Sequence, residues 1–253
     1  MTYYTDLIND KKRVNGFFDA IKKNVHGITY DLGTGSGILA KEASKYADWV
    51  YAIEQNPLIV KKTDNDLECY DNITFIEADA TNYDFTGKID VVICEMLDTA
   101  LIDEEQIPVI NHVTNFTDDN TTFIPQSVYS TIELINTQTM GICYLEDNYP
   151  KYESLSEEVE YQKVNLDEYN NPEYETEIKI SVKKSGLLNG IKLTTYTKLC
   201  DDIILEPTPM LNPPLIIPIE ELTVDKMDEI SINLKYTMGG GLDTIQTTRK
   251  RNN

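Results

Sequence analysis

The spacing of apolar positions changes character once along the chain, at Pro125. From Gly27 onward, short β-rich runs alternate with stretches of helical periodicity: a strand at Ile28–Leu32, a helix over Ile38–Tyr46, a strand at Trp49–Ile53. The alternation continues through a helix after Pro57, strands at Ile73–Glu77 and Asp90–Cys94, a helix after Asp103 and a strand at Thr121–Ile124. Such alternation predicts a parallel sheet covered by helices. Beyond Pro125, the runs Tyr129–Ile135, Thr139–Leu145, Glu175–Val182, Ile191–Leu199 and Glu229–Tyr236 are rich in Thr and β-branched residues, with little helical period. They predict an antiparallel β domain. The expected fold is α/β: a Rossmann-like domain with a mostly parallel sheet over residues 1–125, then a smaller antiparallel β-barrel-like domain over 126–253.

Two stretches interrupt the β pattern. Residues 146–178 hold eleven acidic residues against two lysines, which predicts a solvated loop or an edge hairpin. Residues 206–218 carry Pro207, Pro209, Pro213, Pro214 and Pro218. Proline donates no ladder hydrogen bond, so this segment is expected to cross the outside of the sheet rather than enter it.

Composition narrows the function classes. The 253 residues are 41% hydrophobic and 26% charged, which is globular usage, and no run approaches the roughly 18 apolar residues of a membrane span. Cys69, Cys94, Cys143 and Cys200 are scattered, with neither metal-ligand spacing nor a disulfide framework, and a reducing cytoplasm is the expected location. The formal charge of -21 is shared by both halves, so nucleic acid and anionic membranes are disfavoured and cationic proteins or peptides favoured as partners. Arg249-Lys250-Arg251 reads as a frayed, solvated terminus.

Asp31-Leu-Gly33-Thr-Gly35-Ser-Gly37 lies between the first strand and the first helix of the alternating region, where backbone without Cβ atoms lets a nucleotide-like ligand approach. A dinucleotide fingerprint calls for Gly or Ala at position 38, where Ile38 stands. Asp31 repels a pyrophosphate but pairs with an ammonium group, and S-adenosylmethionine carries one. Glu54 ends the second strand, where a carboxylate accepts from both ribose hydroxyls of either NAD or S-adenosylmethionine. Asp79 follows the third strand and is placed to accept from an adenine amino group. Singly, each acid reads first as a surface or helix-capping residue; their order at successive strand ends is what points to a ligand.

These residues resemble a class I S-adenosylmethionine-dependent methyltransferase, and more narrowly the protein arginine methyltransferases. Asp10-Lys-Lys-Arg13 is similar to that family's D-x-x-R, which implies that Arg13 binds the cofactor's carboxylate. Asp31, Gly33, Gly35 and Gly37 match its cofactor loop and Glu54 its ribose-binding acid. Glu95-Met-Leu-Asp-Thr-Ala-Leu-Ile-Asp-Glu104 resembles its double-glutamate loop, with acids nine positions apart, and Pro125–Ser130 its entry into the β-barrel. The resemblance implies that Glu95 and Glu104 are catalytic and face a substrate guanidinium. The bland reading of Glu104 is the acidic first turn of the next helix. Asp98 stands where the family usually has Gly, and the family's T-H-W loop has no counterpart. His26 and His112 are expected at the surface or in the core. Methyl transfer to protein arginine is therefore the leading expectation, with RNA or a small cationic metabolite as other acceptors and a non-catalytic cofactor-binding protein as the rival class. The oligomeric state stays open, a homodimer included.

Overall fold

The computed structural model describes residues 3–146 and 148–252 of the chain. Two helices lead into the first sheet, α1 (Tyr3–Asn9) and α2 (Lys11–Asn24). Asp10 separates them, its carboxylate accepting from the Arg13 N–H at 3.2 Å as the N-cap of α2. Next come β1 (Ile28–Leu32), α3 (Ile38–Ala43), β2 (Trp49–Glu54), α4 (Pro57–Leu67), β3 (Ile73–Glu77), β4 (Val91–Cys94), α5 (Gln106–Val113) and β5 (Thr122–Ile124). Helix α3 stops short of Tyr46, and Ser44 beyond its end turns its hydroxyl back to the Lys41 carbonyl.

These strands form one parallel sheet in the order β3-β2-β1-β4-β5. β4 is buried throughout and β1 nearly so, because both faces of a parallel sheet are covered; this is why they read as near-continuous apolar runs. The order reverses between β1 and β4, and open α/β sheets bind ligands at the carboxyl ends beside such a reversal. Asp31, Glu54 and Glu95 all stand at that edge, Asp31 near the end of β1 opposite Ala52 and Ile93.

The remaining strands are β6 (Ser127–Thr137), β7 (Cys143–Tyr144), β8 (Tyr152–Ser154), β9 (Val159–Asn165), β10 (Glu173–Ser181), β11 (Gly186–Cys200), β12 (Ile203–Leu205), β13 (Leu215–Val224), β14 (Glu229–Thr237) and β15 (Gln246–Asn252). All their pairings are antiparallel. One sheet runs β7-β13-β11-β6-β8, with β12 on β11 and β9 on β6, and the other β10-β14-β15. The sheets meet at two seams, β9 with β10 and β13 with β15, giving a barrel-like body.

Three expectations are corrected here. The acidic stretch is neither a loop nor a hairpin: β8 and β9 lie within it and each pairs with β6, and in β9 Glu160 faces out while Gln162 and Val164 turn inward. The proline-rich stretch does not stay outside the sheet, since Leu211 and Asn212 are buried and Leu215–Pro218 opens β13 between β7 and β11. Pro218 pairs with Gly190 of β11 beside a register shift, and proline is found in sheets at such bulges. The basic tail is not frayed. It lies in β15, where the Arg249 and Arg251 guanidiniums donate to the carbonyls of Glu220, Glu221 and Thr223 on β13 and so fasten a seam. Among the described residues no helix is long and apolar enough to cross a membrane.

Candidate active site

The glycine loop is shaped by what surrounds it. Gly33 has φ +70°, and a Cβ there would stand 2.7 Å from the Met96 sulfur, so conformation and space both require glycine. The Thr34 hydroxyl donates to the Asp31 carboxylate at 2.5 Å, and the Thr63 hydroxyl donates to the Gly35 carbonyl at 2.6 Å. The Glu54 carboxylate receives the N–H groups of Gly35 at 3.0 Å and Asn56 at 2.8 Å, tying the loop to the end of β2. Asp31 is fully enclosed. Burial pushes its carboxyl up to about 6, the Thr34 hydroxyl opposes this, and Glu54 adds to it.

On the other side of β1, Glu95 leaves the end of β4. Its carboxylate meets the Arg13 guanidinium at 2.5 Å, with both side chains largely buried. Burial raises the Glu95 carboxyl to about 7 against the pull of Arg13, and Asp31 and Glu104 push the same way. Arg13 also donates to the Leu7 carbonyl at 3.1 Å, while its Nε is buried with no hydrogen-bond partner among the described residues. A buried guanidinium with an idle donor calls for a further acceptor.

The loop between the two glutamates is held by the β body. Ala100 and Leu101 at its tip take left-handed backbone, φ 60° and 59°, which costs a side-chain-bearing residue about 1–2 kcal/mol each. Tertiary contacts offset that strain. The Thr99 hydroxyl donates to the Pro213 carbonyl at 2.7 Å and the Ala100 N–H to the Thr195 hydroxyl at 2.8 Å. The N–H groups of Gly239 and Gly241 reach the Leu101 and Ile102 carbonyls at 2.8 and 2.9 Å. Glu104 then returns to the cavity, its carboxyl raised by burial and by Asp103 and Glu105. These three acids precede α5, which begins at Gln106, so they are not its first turn.

A cavity of about 330 Å³ joins both sides, and Arg13, Asp31, Gly33, Gly35, Glu54, Asp79, Glu95 and Glu104 all line it. Gly37 does not: with φ +70° it turns the chain into α3, packed against Thr63 and Leu67. Asp79 has both carboxylate oxygens engaged locally, by Thr81 and Asn82, and these bonds hold its carboxyl below the usual range. The histidines lie elsewhere, His112 bonded to the Tyr83 carbonyl and packed on Phe85 and Phe116, and His26 exposed.

Sequence reasoning missed Leu7, Met96 and Met210 as cavity walls, and Gln106, whose carbonyl receives the Met96 N–H at 2.9 Å and braces the start of the loop. Gln106 is fully buried, but nothing local marks it. Asp98 was visible only as a departure from a pattern.

The methyltransferase domain family matches residues 30–118, the span from β1 almost to β5. The chain is 42% identical to an uncharacterized protein of Methanothermobacter thermautotrophicus over 97% of its own length and 96% of the relative's. It is 30% identical over 129 residues to protein arginine N-methyltransferase 7 of Drosophila persimilis, covering 43% of this chain and 18% of that one. The fold matches the Trypanosoma brucei PRMT1 enzyme-prozyme heterotetrameric complex with AdoHcy, at a TM-score of 0.81 and 12% identity over 99% of this chain and 97% of that one. With its archaeal relative, the chain belongs to one family, and it is a class I S-adenosylmethionine-dependent methyltransferase resembling the protein arginine methyltransferases.

Proposed function

We propose that the chain transfers a methyl group from S-adenosylmethionine to a guanidinium nitrogen of arginine in a cationic protein or peptide. The observation that carries this is a guanidinium already seated on the acid: Arg13 meets Glu95 at 2.5 Å, inside a cavity that Glu104 also lines. Glu95 is largely buried and Glu104 stands at the exposed rim of the cavity; desolvation raises both carboxyls, and a shared cation stabilises them. Arginine offers five donors in a planar fork and keeps its charge at physiological pH. The surface charge of -21 favours the approach of a basic substrate.

In this reading Arg13 turns its idle Nε to the cofactor's carboxylate and Asp31 pairs with its ammonium group. Gly33 and Gly35 admit its nucleoside, Gly37 sets the turn, Glu54 accepts from the ribose hydroxyls and Asp79 from the adenine amino group. When bound, S-adenosylmethionine supplies an electrophilic methyl on a sulfonium sulfur. Glu95 and Glu104 hold the acceptor fork and draw its charge onto the nitrogens they touch, leaving the third nitrogen's lone pair free to attack in line. The proton released from that nitrogen has carboxylate acceptors within the pocket.

The test is incubation of the protein with labelled cofactor and arginine-containing peptides or cell extract. Label on arginine is the expected result, lost in Glu95→Gln with cofactor affinity retained. Label confined to RNA or a small metabolite, or tight cofactor binding without turnover on any extract, would overturn it.

A further inference from the structure

The loop between the two glutamates is bonded internally to a side chain that is not among the residues lining the cavity. Asp98 is 5% exposed and sits inside the loop between them. One of its carboxylate oxygens receives the N–H groups of Ile102 at 3.1 Å and Asp103 at 2.9 Å, and the other receives the N–H of Glu104 at 3.3 Å. The Tyr144 hydroxyl, on β7 of the barrel-like body, reaches the first oxygen at 3.4 Å. Three successive amides therefore converge on one carboxylate across the chord of the loop, and the last belongs to Glu104 itself. Resting on the arginine reading above, we infer that Asp98 is a positioning residue for the methyl acceptor: its carboxylate fixes where the Glu104 side chain stands opposite Glu95.

The chemistry of the site makes this a role for a carboxylate. The Leu101 N–H meets the Asp98 carbonyl at 3.1 Å, but among the described residues the N–H groups of Ile102, Asp103 and Glu104 have no backbone carbonyl partner, and an amide left unpaired is costly. Thr99, Ala100, Leu101 and Ile102 are fastened from outside by Pro213, Thr195, Gly239 and Gly241, which fix the tip. Nothing among those contacts reaches Asp103 or Glu104. Gln106 ties the returning end to Met96, and among the described residues the Asp98 carboxylate is what the Asp103 and Glu104 N–H groups meet. A glycine at 98 leaves the three amides unanswered. An asparagine keeps one oxygen for Ile102 and Asp103 but turns its NH2 group toward the Glu104 N–H, setting donor against donor.

Steady-state kinetics of Asp98→Asn and Tyr144→Phe, alongside calorimetry for the cofactor, test the inference. Asp98→Asn should raise the acceptor KM about tenfold or more, and Tyr144→Phe about twofold, with cofactor Kd within twofold of wild type. Amide hydrogen exchange in the peptide spanning 98–106 should quicken in both variants. A merely structural Asp98 would lower Tm and active fraction, hence kcat, and leave KM alone. If the wild type labels an acceptor other than arginine, the arginine reading falls, and the inference is then judged on that acceptor's KM and on exchange. Wild-type KM and wild-type exchange in folded Asp98→Asn, or in Tyr144→Phe should the former not fold, would overturn it.

Discussion

Glu54 and Glu95 flank Asp31 from the strands on either side of β1, yet their surroundings differ. Glu54 is answered by backbone: the Gly35 and Asn56 N–H groups take one oxygen each. Glu95 is answered only by the Arg13 side chain, and burial lifts its carboxyl to about 7. The first acid is scaffold that braces the glycine loop and presents its remaining lone pairs. The second is held by a side chain 82 positions away in the chain. In the proposed function, one cavity therefore has a cofactor side built from neighbouring turns and an acceptor side built from contacts distant in sequence.

The largest way to break this comparison is Glu95→Gln, expected to lower methyl transfer by about 10²–10⁴-fold while cofactor affinity changes little. Comparable losses in both, measured by turnover and calorimetry, would mean that the two sides are not separable. Arg13→Ala should strike both. In the proposed reading it removes the guanidinium that meets the cofactor's carboxylate, and truncating one partner of such a charge pair costs about 2–5 kcal/mol, so cofactor affinity should fall roughly thirtyfold or more in calorimetry.

A pH series sharpens the contrast by about fivefold between pH 6 and 7. Glu95 must be ionised to grip a fork, and its raised carboxyl, about 7, is protonated below that value. Acceptor kcat/KM should therefore climb from pH 6 to 7 and level above it. Cofactor affinity should decline only below pH about 6, where Asp31 takes up its proton. A flat acceptor profile from pH 6 to 8 would contradict the assignment of Glu95. The smallest effect is expected from Thr195→Val, which removes the acceptor for the Ala100 N–H. Loss of about 1 kcal/mol at the loop tip should raise acceptor KM several-fold with cofactor Kd unchanged.

The cofactor side was largely legible in the sequence because its parts are local. The glycine loop, Glu54 and Asp79 each follow a strand that apolar runs reveal, and parallel topology then aligns the strand ends. The positions of Glu95 and Glu104 were legible through their spacing, but the restraints on them were not. Thr195, Pro213, Gly239 and Gly241 lie about a hundred residues or more from the loop they fasten, and nothing in their own neighbourhoods marks them. Charge misled where pairing decides. The acidic stretch hides β9 because alternate positions carry its buried face, and the basic tail is neutralised by carbonyls of β13. Pro218 misled because the rule against proline in a sheet relaxes at a bulge, which the sequence does not mark.

The central claim is that Glu95 and Glu104 together recognise a planar cation beside the cofactor. Its most direct test is calorimetric titration of the AdoHcy-loaded protein with an arginine peptide and with the same peptide carrying citrulline, the neutral isostere. The account predicts at least tenfold tighter binding of arginine, with the preference abolished in Glu95→Gln/Glu104→Gln. Equal affinity for the two peptides, or a preference that survives the double substitution, would contradict it.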